Sequence, residues 1–517
     1  MQSTKNWRVS VMTAVVASAS VYVPAAFAQQ PSNADLADLV RQQAAQIERL
    51  NTRIEALEQT SGSAAPASRR QATSQPATPS TTAPRTDSAA SSVVQAGGGR
   101  DDTAARLRAL EDTQAKGTVI NWSSGAPEFV SPDGEFSFEI GGRIQYDVSS
   151  TFGSRYDGEG AQDGLDRNIT GTEFRRIRLD ASGQLTDPIA YKLELDFAGN
   201  SVGLRDVYLA TSKDFELGEA TVYLGNKFTD SGFDGRTSSK WTWFTERNTV
   251  ANAIQPDTGA YISGLTTEFH GNDWHSSLAV GKGSIGGPDN ESDNLTVLSR
   301  AHWNPVNTDG TIVHLGVNGF YENFEGDRVE TFQDNIDIAG HYNDNLSITS
   351  ALLDDPNQST AFGFELGGLT GPFATGAEWG RRDLDSGAGP DMHYTAYSGQ
   401  IGYSITGEAF GYSTKQGVWA PPKVANPVGK GGLGALQIMA RYQALDFQNS
   451  GQYAGGTGHA STIGLSWYLN SYTRALIDYS YWQTNNRVPM GVDPSITPGY
   501  YGDDSGSTIN ARAQVVF

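Results

Sequence analysis

From Phe136 onward apolar residues fall on every second position. Phe136, Phe138, Ile140, Ile144, Tyr146 and Val148 share one face, broken at Gly142, and Glu135, Ser137, Glu139, Arg143, Gln145 and Asp147 share the other. A period of two is a strand with one apolar and one polar face. The run of about thirteen residues is long enough to cross a bilayer as a tilted strand, which needs about ten. The pattern returns in Ile177, Leu179, Ala181 and Leu185 against Arg176, Arg178, Asp180 and Gln184, then in Tyr191, Leu193, Leu195 and Phe197 against Lys192, Glu194 and Asp196. Near the end, Ile463 to Leu469 and Ala475 to Tyr481 form two strands around a turn at Leu469-Asn470-Ser471. The chain closes on Ile509, Ala511, Ala513, Val515 and Phe517, alternating with Asn510, Arg512 and Gln514.

Short turns such as Thr186-Asp187-Pro188 alternate with long polar loops such as 153–172. Such spacing is expected of an outer-membrane barrel with short periplasmic turns and long external loops. The repeating body runs from Pro132 to Phe517, about 385 residues, and about 24 residues per strand with its connection gives about sixteen strands. The fold expected is all-β: a transmembrane antiparallel β barrel with an aqueous lumen.

The first 131 residues follow other rules. A basic start (Lys5, Arg8), an apolar stretch from Val9 to Val23 and the small-residue pattern Ala26-Phe27-Ala28 read as a secretory signal over residues 1–28. Over 33–59, Leu36, Val40, Gln43, Ile47, Leu50, Ile54 and Leu57 recur at spacings of four and three, which reads as a short coiled coil or as a helix lying on the protein's own surface. The 60–100 stretch is Ser, Ala, Thr, Pro, Gln and Gly with few charges, a composition that cannot bury a core, so it reads as a disordered linker of roughly 35 Å root-mean-square span. A short helical and linker region, 101–131, precedes the barrel.

Composition narrows the function. Cysteine is absent, which removes disulfides and thiolate metal sites, and the seven histidines are dispersed. The formal net charge of −21 becomes about −23 without Lys5 and Arg8, which argues against nucleic-acid partners. No cofactor, metal or catalytic residue is implied. Gly281 to Gly286 and Gly429 to Gly434 both fit GxGxxG, but neither opens a helix, and no GxSxG nucleophile elbow is present.

Five segments, EFRRIRLDASG (Glu173 to Gly183), YKLELDFAGN (Tyr191 to Asn200), TSSKWTWFTERN (Thr237 to Asn248), the stretch from Ile405 to Asp446, and TIGLSWYLN (Thr462 to Asn470), resemble the phosphate-selective porin O and P family. The resemblance is weaker between about Gly264 and Gly402. It implies a sixteen-stranded homotrimer in the outer membrane of a Gram-negative bacterium, in contact with lipid and lipopolysaccharide. The implied pore is narrowed by an infolded loop and lined by arginine and lysine.

A passive pore needs fixed charge where the lumen is narrow and poorly hydrated, because screening is weak there. Alternation turns Arg176 and Arg178 to the lumen and leaves Arg175 near the strand's end, forming donors for phosphate oxygens or partners for Glu173, Asp180 and Glu194. The stretch from Lys227 to Asp257 stands where the resemblance places the constriction loop. Its cations Lys227, Arg236, Lys240 and Arg247 meet Asp230, Asp234 and Glu246, so some cations are anion ligands and others partners of these acids. Lys415, Lys423 and Lys430 lie in an acid-free loop, Ser413 to Gly434, which either joins the phosphate site, as the resemblance implies, or faces lipopolysaccharide as an external loop.

The leading expectation is a passive outer-membrane channel for small anions, phosphate or pyrophosphate foremost. Two alternatives stay open: a general or organic-solute porin without phosphate selectivity, and an envelope-tethering protein whose periplasmic coiled coil docks a partner while the barrel anchors it.

Overall fold

The structure is a computed structural model and describes residues 117–122, 126–156, 166–257, 259–283, 295–324, 331–447, 455–486 and 502–517. The signal segment, the coiled-coil repeat, the linker and the 101–114 patch lie outside the described residues.

Sixteen long strands carry the alternation. They are β1 (Ser137–Phe152), β2 (Thr170–Thr186), β3 (Ile189–Asp196), β4 (Gly203–Phe215), β5 (Gly218–Phe228), β6 (Tyr261–His270), β7 (Trp274–Lys282) and β8 (Leu295–Thr308). Then come β9 (Thr311–Asn323), β10 (Pro356–Thr370), β11 (Phe373–Ser386), β12 (Met392–Ser404), β13 (Ala435–Asp446), β14 (Thr457–Tyr468), β15 (Thr473–Asn485) and β16 (Asp503–Val516). Each pairs antiparallel with the next, and β16 returns to β1 with Ile509 opposite Ser150 and Val515 opposite Ile144. Closure satisfies every strand's backbone within the sheet, the condition for crossing hydrocarbon. Two short strands from the end of the 101–131 region, Val119–Asn121 and Glu128–Val130, extend the ladder beside the start of β1.

The two faces separate as the period requires. On β1, Ile140, Ile144, Tyr146 and Val148 are exposed, whereas Arg143, Gln145, Asp147 and Ser149 are buried inside the barrel. On β16, Ile509 and Val515 face out, while Asn510, Arg512 and Gln514 face in. Apolar side chains therefore meet lipid and polar ones fill the lumen.

Short turns join β2 to β3, β4 to β5, β6 to β7, β8 to β9, β10 to β11 and β14 to β15 on the rim that also holds both ends of the barrel. Among the described residues, three long connections turn into the lumen. The 229–260 connection, with α1 (Phe233–Arg236) and α2 (Thr249–Ala253), comes from the opposite rim and is bonded to the wall at many points. Glu378 on β11 accepts from Phe233 N (2.7 Å) and Asn248 Nδ2 (2.6 Å), and Asp478 on β15 accepts from Thr245 N (2.8 Å). Arg474 donates to Thr242 O (2.8 Å) and Arg441 to Glu246 O (3.0 Å), while Gln145 and Gln514 donate to Ser239 O and Lys240 O. The 324–355 connection packs Ile338, Leu346 and Ile348 into one buried cluster with Ala253 and Ile254.

The third intruder comes from the short-turn rim. Between β12 and β13, Gly411–Ser413 pairs with Val418–Ala420 as a small hairpin inside the lumen. Trp419 packs on Phe233 (4.8 Å between ring centres) and Trp243 (4.5 Å). Arg300 donates to Gln416 O (2.8 Å) and Gly417 O (2.7 Å), and His302 Nε2 donates to Thr414 O (3.0 Å). Gly417 has φ +62°, and a Cβ there would lie 2.3 Å from the His302 ring. The hairpin tip thus rests flat against the wall with no room for a side chain.

Candidate functional site

The three intruding connections are bonded to the wall from β8 round to β16 and leave space along β1 to β6. A cavity of about 440 Å³ lies there, bounded by wall residues, by Ser238, Ser239 and Arg247 of the 229–260 connection, and by Gln416, Trp419 and Pro421 of the hairpin segment. Its lining holds eight cationic side chains, Arg143, Arg175, Arg176, Arg178, Lys192, Arg205, Arg236 and Arg247, against two carboxylates, Glu194 and Asp206.

A local irregularity packs three of these together. The β1–β2 ladder shifts between Gln145 and Tyr146, so that Arg176 lies opposite Gln145 and Phe174 opposite Tyr146, with Arg175 left over as a β-bulge. A bulge re-aims side chains by inserting one residue without moving the rest of the strand to the other face. Phe174 and Leu179 stay outside, while Arg175, Arg176 and Arg178 all turn in. Strict alternation leaves Arg175 at the margin; the bulge corrects this.

Most of the cavity's cations are held from behind by acids. Arg178 bonds Glu194 (2.7 Å) and Asp196 (2.8 Å), Arg175 bonds Glu246 (2.9 Å), and Arg236 lies 3.5 Å from Asp230 and 3.4 Å from Glu268. Lys192 lies between Glu194 (3.1 Å) and Asp206 (3.0 Å), Arg205 is 3.3 Å from Asp196, and Arg143 bridges Glu194 (3.4 Å) and Ser239 Oγ (2.7 Å). A guanidinium has five N–H donors, so a carboxylate holding one edge leaves others for a solute. Asp196, Glu246, Asp230 and Glu268 do not line the cavity themselves. Arg247 is placed differently: it donates to Asp234 O (3.1 Å), Gly235 O (3.1 Å) and Thr237 O (2.7 Å), and it makes no ion pair within 4 Å among the described residues.

A smaller cavity of about 170 Å³ adjoins on the long-loop side and shares Arg175 and Arg247 with the first. Its other lining includes Arg441, Glu246, Asp337 and His341. Burial pushes the Asp337 carboxyl up to about 7, opposed by His341 and Arg175 and reinforced by Glu246 and Asp344. In the 229–260 connection, burial and then Arg143 and Lys192 bring the Lys240 ammonium down to about 8, with Asp180 and Glu194 acting the other way.

Of the residues singled out by sequence, Arg175, Arg176, Arg178, Arg236 and Arg247 meet in the main cavity. Lys227 lies outside its lining, 2.6 Å from Glu268 and over the Tyr223 ring. Lys240 is also outside the lining, near Arg143. Lys415 is 57% exposed and 3.5 Å from Glu219, and Lys423 and Lys430 are exposed on the short-turn rim. That rim is opposite the long loops, so the acid-free segment is not an external loop. Arg143, Lys192 and Arg205 were not singled out. Arg143 and Lys192 stand on faces that alternation already marks as polar, and local charge counting passes them over because each is alone in its stretch.

A closed antiparallel barrel with a polar, partly occluded lumen defines an outer-membrane porin. The model of the phosphate-selective porin O and P family matches residues 138–517, and the chain belongs to that family. Porin O of Pseudomonas aeruginosa is 24% identical over 432 residues, covering 77% of this chain and 92% of that protein. An uncharacterised protein of Caulobacter vibrioides is 28% identical over 389 residues, covering 72% of this chain and 73% of its own length. Among solved structures, OmpT of Vibrio cholerae is similar with a TM-score of 0.45 at 14% identity, covering 74% of this chain and 98% of that one.

Proposed function

We propose that this porin conducts small anions passively, phosphate or pyrophosphate foremost, as a homotrimer. The observation that carries the reading is the eight-to-two excess of cations over carboxylates around the main cavity. An anion entering a space of this size sheds water and needs replacement donors, which guanidinium groups held at one edge supply without further ordering. Two cavities in series, linked by Arg175 and Arg247, allow release as well as capture, since conduction needs several sites of moderate strength. Membership of a family described as phosphate-selective favours phosphate over other anions.

The test is single-channel recording in planar bilayers, with a salt gradient to set the reversal potential and phosphate titrated against the chloride current. Anion selectivity with block by phosphate is expected, and Arg178→Gln with Arg247→Gln should weaken the block on the order of tenfold or more, given about 1.5 to 3 kcal/mol for a hydrogen bond to a charged group. Anion selectivity without block would leave a general anion porin. Cation selectivity would overturn the reading.

A further inference from the structure

We propose that the short-turn rim at β13 and β14 binds an anionic phospholipid of the membrane leaflet on that side. Its headgroup would lie on Lys423 and Lys430 and one acyl chain in a trough of the outer wall. After the lumen hairpin, the chain crosses the rim and hooks over the outside of the barrel. Trp467 stands on the lipid-facing row of β14 with Ile463 and Leu465, and its indole Nε1 donates to Leu433 O (2.7 Å). Gly434 lies against the same ring, where a Cβ would come within 3.0 Å of Nε1. Leu433 is 77% exposed and Val428 37%, which is costly in water and ordinary at a bilayer surface. Lys423 and Lys430 are exposed on the same hook and make no ion pair among the described residues.

Charge and shape point to one occupant. The 421–434 stretch holds Lys423 and Lys430 and no acid in a chain of net charge −21, a charge that suits an anionic partner. Lysines beside apolar anchors at a membrane surface attract anionic lipid. Two residues along β13 from Leu436, which lies opposite Trp467, Ile438 forms one edge of an apolar trough of about 720 Å³ in the outer wall. The trough follows from a small-residue stretch of the outer wall: Gly368, Thr375 and Ala440 share one outward cross-strand row with Ile401, beside the row of Phe373, Tyr403 and Ile438. An acyl chain fills such a trough, and its phosphate then reaches the lysines at the rim.

Native mass spectrometry of the purified full-length porin, with dioleoyl phosphatidylglycerol and dioleoyl phosphatidylcholine added in equal amounts, tests this. Phosphatidylglycerol should be retained in preference, and Lys423→Gln with Lys430→Gln should reduce that preference on the order of tenfold. Ala440→Phe, which fills the trough from outside, should lower retention of both lipids. Heat-modifiable migration on gels verifies that each variant has folded. Millimolar inorganic phosphate should leave the phosphatidylglycerol bound; displacement by it would mean that the lysines serve free anions instead, and the proposal would fall. Equal retention of the two lipids, or unchanged retention in the lysine variant, would also overturn it, and unchanged retention in Ala440→Phe would remove the acyl-chain part. The proposal is independent of ion selectivity, so its failure would leave the conduction reading untouched.

Discussion

Arg175 reaches the lumen through one extra residue in a strand. Without the shift in the β1–β2 ladder, Arg175 would lie on the lipid-facing side with Phe174 turned inward, an arrangement that buries an aromatic ring in a polar lumen and a charge in hydrocarbon. The bulge avoids both and sets three arginines within four residues on one wall. Two titratable groups in the connections then give the site a pH dependence. Asp337, raised to about 7, is neutral below that value and negative above it, in the mouth cavity beside Arg175 and Arg247. Lys240, lowered to about 8, is positive below that value and neutral above it. Both changes make the path less positive as pH rises, so anion selectivity should decline from about pH 6 to about pH 9. Reversal potentials measured across that range check this: Asp337→Asn should remove the lower step and Lys240→Arg the upper, and selectivity that rises with pH would contradict the assignment. The inward turn of Arg176 and Arg178 was legible from period two alone. Arg175 was not: two arginines between Phe174 and Ile177 break the period of two, but which way the extra residue turns is set by the pairing with β1.

At the scale of elements, the lumen is narrowed by connections that have little regular structure of their own and depend on the wall for order. Glu378 accepts from Phe233 N, Asp234 N and Asn248 Nδ2 at once, which fixes the start of α1 to β11 and also to the residue that caps α2. Replacing it with Ala would strand these buried donors, each at a cost of about 1 to 3 kcal/mol. Glu378→Ala should therefore raise single-channel conductance and its noise as the loop detaches, while a loop held by its other bonds would leave conductance unchanged. Gly417→Ala tests the opposite side of the lumen. A Cβ there meets the His302 ring at a positive φ, so the hairpin must retreat, and the phosphate block should weaken because Gln416 and Trp419 help bound the cavity. The glycine and polar content of 228–257 signalled a long loop, and only the resemblance suggested that it folds inward. Nothing in 405–434 revealed a hairpin inside the barrel. Its fixing contacts, Arg300 and His302, lie more than a hundred residues away, and no local periodicity records them.

At the scale of the whole molecule, the closing seam and the net charge pull against simple readings of composition. The seam joins β16 to β1, and Gly142, which broke the opening alternation, proves to be part of it. Its N–H bonds Phe517 O (2.8 Å), and a Cβ would meet the Phe517 ring at 2.7 Å. The gap in the sequence pattern is thus a seat for the final residue, and Gly142→Val should cost about 1 to 3 kcal/mol and lower the yield of heat-modifiable barrel. Net charge is the harder case. A chain at −21 ought to repel anions if its field were felt as a whole, yet the eight-to-two excess of cations lines the main cavity. Screening decides between the two: at about 0.1 M salt the Debye length is about 10 Å and at 1 M about 3 Å, so exposed acids on loops act only when salt is low, whereas charges across a narrow, poorly hydrated cavity act at both. If the cavity sets selectivity, lowering the salt from about 1 M to about 0.1 M should leave the reversal potential on the anion side and increase its size. If the overall charge sets it, the same change should drive the potential toward cations. Selectivity that crosses sign on dilution would show that the acids outside the cavity, and not the arginines within it, govern what enters.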